Sequence, residues 1–293
     1  MALNQDSTLS NGELTIKIKA HGAELSSIRH DDTEYLWQAD PAFWKRHSPV
    51  LFPIVGSVSE GRFRVEGHEY KLSQHGFARD MDFELISATD NEVWYALHSS
   101  NETLAKFPYK FTLKIGYKIE GRKIHVMWRV ENPAEEMLDF QIGAHPAFFY
   151  RGDAENGTKG YFKLDRTDDL RVTLIGEKGC ADVDHHYPAK LDAEGLLPIE
   201  ADTFDRDALI FEESQLREVT LMDSHKKPFL KMSFTAPLVG LWAPSKESPF
   251  VCIEPWYGRC DRMNYCGEFK DRDWVNHLKP HATFDAEYII EIL

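Results

Sequence analysis

Helical periodicity is nearly absent from this chain, which excludes helix bundles and α/β layers from the start. Only residues 41–46 and 271–277 have the composition for a single helical turn, the first with Pro41 at its opening position. Cysteine is scarce as well. The four present (Cys180, Cys252, Cys260 and Cys266) are irregularly spaced and form no C-x-x-C pair, against a disulfide framework or a structural zinc site and for reduced thiols. No apolar run approaches the ~20 residues of a membrane helix. The opening Met1-Ala2-Leu3-Asn4-Gln5-Asp6 lacks the basic-then-apolar pattern of a leader. Basic charge is in deficit: a net charge of −14 argues against general binding to nucleic acid or anionic membrane, though not against a local arginine cluster. A cytoplasmic location is expected, and the sequons at Asn101 and Asn156 carry no meaning without a secretory route. With no linker, repeat or low-complexity tract, residues 1–293 read as one domain.

What remains is strand. Leu14, Ile16 and Ile18 alternate with polar partners. Phe111, Leu113, Ile115, Tyr117 and Ile119 share one face of a longer run. After the turn composition Glu120-Gly121-Arg122, Ile124, Val126, Trp128 and Val130 repeat the pattern, so a long hairpin with one wet face is expected. Phe284, Ala286, Tyr288, Ile290 and Ile292 make a last strand of the same kind. Close-spaced strands with few short helices predict an all-β fold, a large antiparallel β-sandwich. The stretch 151–205 is rich in Asp, Gly and Lys and is expected to contain long surface loops, its Asp182, Asp184, His185 and His186 being solvated rather than metal-binding.

Two separated stretches carry the chemistry: Gly143-Ala144-His145-Pro146-Ala147-Phe148-Phe149 and Val251-Cys252-Ile253-Glu254-Pro255-Trp256-Tyr257-Gly258. Each sets one proton-exchanging side chain directly before a proline. Proline drives its predecessor to extended geometry and cannot continue a central ladder, so His145 and Glu254 are both expected at strand ends beside a cleft. Aromatic residues follow each of them, and Phe148, Trp256 and Tyr257 offer flat apolar surface. An imidazole and a carboxylate against such surface suit acid/base work on a neutral polyol. The paired carboxylates that glycoside hydrolysis needs are not supplied.

Four more stretches stand out: Ser48-Pro49-Val50-Leu51-Phe52-Pro53-Ile54-Val55-Gly56 with Arg46 just ahead, His75-Gly76-Phe77-Ala78-Arg79-Asp80, Asp207 before an apolar run, and Ser248-Pro249-Phe250 leading into the Glu254 strand. The combination of S-P-V-L-F-P-I-V-G, H-G-F-A-R-D, G-A-H-P-A-F and C-I-E-P-W-Y-G resembles the aldose 1-epimerase (galactose mutarotase-like) family, and within it the bacterial lactose-operon epimerase-like subgroup. The resemblance spans residues 14–290. It implies a large antiparallel sandwich with an open cleft and interconversion of the α and β anomers of an aldose through its open-chain aldehyde. It assigns Glu254 as general base on the anomeric hydroxyl and His145 as general acid on the ring oxygen, acting from opposite sides of C1. His75 matches a position contacting sugar hydroxyls, Arg46 and Arg79 match cleft arginines, and Asp207 is the candidate hydroxyl-binding aspartate. Trp256 lies beside them as a substrate contact. No metal or other cofactor is implied, and the expected partner is a sugar, bound by a monomer or homodimer. Two alternatives remain: a hexose-6-phosphate epimerase using Arg46 and Arg79 for the phosphate, and a carbohydrate-binding protein without catalysis.

Overall fold

The computed structural model describes residues 5–293. Residues 1–4, which begin the stretch read above for a leader pattern, lie outside that range. The strands form two large antiparallel sheets. One has nine strands, in the order Leu196–Pro198, Tyr161–Leu164, Glu218–Met222, Pro228–Phe234, Thr283–Ile292, Lys123–Glu131, Thr112–Glu120, Glu92–His98 and Glu84–Ala88. The other has eight, running Ala181–Pro188, Arg171–Ile175, Leu209–Phe211, Leu238–Trp242, Phe250–Tyr257, Ile142–Ala144 and Val50–Leu51, with Ala147–Phe149 also paired to Phe250–Tyr257. The expected hairpin is present, Thr112 facing Glu131 and Glu120 facing Lys123, and the last strand pairs alongside it.

The sheets pack face to face. Trp128 and Phe284 of the nine-stranded sheet meet Tyr257 of the other at ring-centroid distances of 6.4 and 5.1 Å. The strand Phe250–Tyr257 shows why its sequence is almost continuously apolar: it is covered on both faces. Val251 and Ile253 enter the large inter-sheet core. Phe250, Cys252, Glu254 and Trp256, pointing the other way, face a second layer built with Leu51, Ile210, Leu238, Trp37 and Ala147. The cleft opens on that outer face.

Two local expectations change and one gains detail. Residues 151–205 contain the surface loops expected, but four strands, at 161–164, 171–175, 181–188 and 196–198, also run through them. Residues 271–277 do not form a helical turn; a 3-10 turn ends at Asp271, Trp274 is left-handed (φ 60°), and a strand starts at Asn276. The one α-helix among the described residues, Asn101–Lys106, lies where no turn was read, capped by Ser100 and Thr103. No helix among the described residues is long and apolar enough to cross a membrane.

Candidate active site

Arg46, His75, Arg79, His145, Asp207, Glu254 and Trp256 all line one open cleft of about 580 Å³, a size suited to a small ligand. They arrive from separate parts of the chain. His145 sits between the strands Ile142–Ala144 and Ala147–Phe149, at a strand end as expected. Glu254 does not: it lies inside Phe250–Tyr257, opposite Gly240. Pro255 is tolerated there because the neighbouring edge is interrupted, Trp256 pairing with Gly143 and Cys252 with Ala147 while His145 and Pro146 bridge the gap. The same interruption lets the imidazole turn towards the carboxylate.

His145 Nε2 stands 3.4 Å from Glu254 Oε2, so the two are side by side on one wall rather than across the cleft. Glu254 is 1% exposed and His145 6%. Glu254 Oε2 and His145 Nδ1 have no hydrogen-bond partner, a costly state for buried polar atoms. Burial, and then the negative charge of Asp207, push the Glu254 carboxyl well above its ordinary value, with the nearby Trp256 indole N–H opposing them. Burial, then the positive charge of Arg79, pull His145 down to about 3. Both shifts favour the uncharged forms, a neutral imidazole beside a protonated carboxyl.

The walls come from small residues as much as large ones. Trp256 lies flat in the floor because Gly143 and Gly240 leave room for it. A Cβ on Gly143 would fall 2.6 Å from Trp256 Cδ1, and one on Gly240 would overlap the far ring of the indole. Its Nε1 donates to the Ala144 carbonyl at 3.2 Å. Phe148 is wholly buried in the inter-sheet core, and Tyr257 packs against the same core with its hydroxyl on Thr235, so neither offers the flat surface expected of it. Trp44 and Trp242 do. Trp44 stacks on His145 with centroids 4.7 Å apart and planes 28° from parallel, and Trp242 meets the same imidazole edge-on at 5.2 Å. Neither was singled out in the sequence, although Trp242 ends an apolar run two residues before Pro244, much as His145 precedes Pro146.

His75 occupies a left-handed conformation (φ 67°) and is followed by Gly76 (φ 71°), where any Cβ would run into the Phe52 carbonyl. The turn fixes the ring: Gly56 N–H donates to His75 Nδ1 at 3.1 Å, so the proton is on Nε2. Burial and nearby positive charge hold this imidazole well below its ordinary value, hence neutral. Arg46 donates to Asp80 at 2.8 Å, and Arg79 donates to the Gln74 carbonyl at 2.7 Å with its Nε 3.8 Å from Asp80. Arg79 Nε is buried without a hydrogen-bond partner, and burial with the charge of Arg46 lowers its pKa to about 10. Asp207 is exposed at the rim, its Oδ1 accepting from Ala208 N–H at 2.7 Å. Behind the cleft, the half-buried Glu24 accepts from the backbone N–H groups of His47 and Ser48 and pins the segment carrying Trp44 and Arg46. The Asp182–His186 cluster lies elsewhere, His185 bonded to Asp182 at 2.9 Å and exposed. Among the described residues the one His/Cys/acid group compact enough for a metal is His145, Cys252 and Glu254.

Solved structures share this architecture. A galactose mutarotase related enzyme from Lactobacillus acidophilus superposes with a TM-score of 0.90 at 32% identity, covering 99% of this chain and 97% of its own. A galactose mutarotase-like protein from Lactobacillus casei gives 0.92 at 28% identity, covering 99% and 100%. Protein LacX of Lactococcus lactis is 30% identical over 296 residues, which span 97% of this chain and 98% of LacX. The profile of a family described as aldose 1-epimerase matches residues 5–270. The outer-face cleft thus sits on a fold and a sequence shared along nearly the whole chain, and the chain belongs to the aldose 1-epimerase family.

Proposed function

We propose that the protein interconverts the α and β anomers of a free aldohexose, with Glu254 as general base and His145 as general acid. The observation that carries this is the His145–Glu254 pair, 3.4 Å apart on the cleft floor with lone pairs left free. The anomeric hydroxyl and the ring oxygen share one carbon, so two adjacent groups on one wall reach both. A sugar hydroxyl donating to Glu254 supplies the hydrogen bond the carboxylate lacks and favours its ionised form, and the proton passes to His145. Glu254 then accepts the anomeric O–H proton while His145 gives its own to the ring oxygen, and the C1–ring-oxygen bond breaks to leave the aldehyde. The pair has returned to neutral imidazole and protonated carboxyl, the uncharged forms that burial favours. Rotation about C1–C2 and closure with the roles exchanged give the other anomer. Positioned acid/base groups contribute about 10²–10⁴-fold each, ample for a reaction that also proceeds unaided.

His75 Nε2–H, Arg46 and Arg79 are donors for ring hydroxyls, Asp207 is an acceptor at the rim, and Trp44, Trp242 and Trp256 supply apolar surface. The unpartnered Arg79 Nε favours a second reading, a hexose 6-phosphate with its phosphate on Arg79 and Arg46. Against it, Asp80 already engages Arg46 and lies near Arg79. Polarimetry of freshly dissolved α-glucose, α-galactose and α-glucose 6-phosphate tests both. Faster relaxation of a free hexose supports the proposal; acceleration of the phosphate ester alone replaces it with the second reading. No acceleration with tight sugar binding would mark a binding protein.

A further inference from the structure

Cys252 has no part in the proton pair, yet the fold sets it against both members. Cys252 and Glu254 are two residues apart on one strand, so their side chains leave the same face. Ala147 is the ladder partner of Cys252, and His145 stands two residues before Ala147. A thiol sulfur, an imidazole nitrogen and a carboxylate oxygen consequently lie within 4.8 Å of one another, all buried. The site is more than a cysteine with neighbours, because His145 Nδ1 and Glu254 Oε2 are buried and have no hydrogen-bond partner.

We infer that the cleft floor is a binding site for a borderline-soft divalent cation of the zinc type, held by Cys252, His145 and Glu254, and that its occupancy switches off proton transfer. A mixed sulfur, nitrogen and oxygen set suits zinc, whereas magnesium and calcium select oxygen alone. Bonds of about 2.0–2.3 Å require the three side chains to draw in around the ion, and three protein ligands leave a fourth position open. His145 and Glu254 line the cleft, which is the ion's way in, while Cys252 stands behind them, off the cleft lining. Coordination takes lone pairs of both proton-exchanging groups. It also displaces the protons of the Cys252 thiol and the Glu254 carboxyl to solvent, so one dication replaces two protons. Binding stands on geometry alone; the switch rests on the proposed reaction.

Titration of the metal-stripped full-length protein with cobalt(II), followed by zinc, tests the site. We expect one equivalent bound with thiolate-to-cobalt charge-transfer absorbance, displaced by zinc, lost in Cys252→Ala and weakened in Glu254→Gln. A wild-type protein without that absorbance, or Cys252→Ala retaining it, overturns the site. Should Cys252→Ala fail to fold, Cys252→Ser, which keeps the volume without the thiolate, decides in its place, and charge-transfer absorbance retained in it overturns the site. The switch is read from anomer exchange, each protein being compared with its own metal-free rate. Zinc should slow wild type by about 100-fold or more, reversibly with chelator and less effectively as sugar is raised. Binding without inhibition overturns the switch. Metal-free protein that accelerates no aldose removes the proposed reaction and the switch with it, while the cobalt result still decides the site.

Discussion

The indole of Trp44 covers the imidazole of His145, ring centroids 4.7 Å apart. This contact helps keep His145 dry, and burial is the largest cause of its low pKa of about 3. Trp44→Ala admits water to that face, so the His145 pKa should climb towards its ordinary value, as read by NMR titration. Anomer exchange should fall by about tenfold or more, the scale of one displaced acid/base group. Trp44→Phe keeps a stacked ring and should restore most of the rate.

The pH dependence follows from the same burial. In metal-free protein the pair gains its second proton only near the low pKa of His145, about 3, and loses its single proton only at the raised value of Glu254. The acid limb of kcat/KM should therefore show no break near 6.5, where an ordinary histidine would place one. A break at that pH would mean that His145 is hydrated or is not the group involved.

Stability carries the opposite sign for the carboxyl. A folded pKa raised above the unfolded one means that Glu254 favours folding least when it is forced to ionise, so its contribution falls as pH rises from the ordinary carboxylate range through the raised value. Glu254→Gln removes that loss. Relative to wild type it should gain stability as pH goes from 4 to 8, measured by denaturant unfolding.

Gly240 makes room for Trp256, and its backbone needs no left-handed conformation, so the cost of a side chain there is steric. Gly240→Ala should destabilise the fold by about 1–3 kcal/mol through overpacking and, by tilting the indole beside Glu254, lower kcat. An unchanged melting temperature would contradict this packing.

Much of the site was legible because its residues sit in short motifs whose local geometry is strict. His145 before Pro146, and His75 before a glycine that alone fits at φ 71°, leave few alternatives. The hairpin Thr112–Glu131 showed because one face is wet and the alternation clear. Glu254 was misplaced to a strand end because a proline inside a central strand is admissible only when the neighbouring strand breaks, and that break is set by residues more than 100 positions away. Trp44 and Trp242 were missed for a related reason: nothing local separates an aromatic that lines a cleft from one that fills a core. The strands in 151–205 escaped notice because three of the four are short and the longest, Ala181–Pro188, carries exposed polar side chains.

Asp80 bonds Arg46 and lies near Arg79, tempering the positive charge at one end of the cleft. Asp80→Asn loosens both arginines at a cost of up to about 1 kcal/mol, the scale of an exposed pair. KM for a neutral hexose should rise by up to about fivefold with kcat little changed; a collapse of kcat would place Asp80 in the chemistry instead.

Two-dimensional exchange NMR on an α/β aldose mixture bears most directly on the paired imidazole and carboxylate. Wild-type protein should produce anomer exchange cross-peaks, while Glu254→Gln, with sugar binding shown intact by saturation transfer, should reduce exchange to the spontaneous rate. Exchange persisting at the wild-type rate in Glu254→Gln would contradict the account.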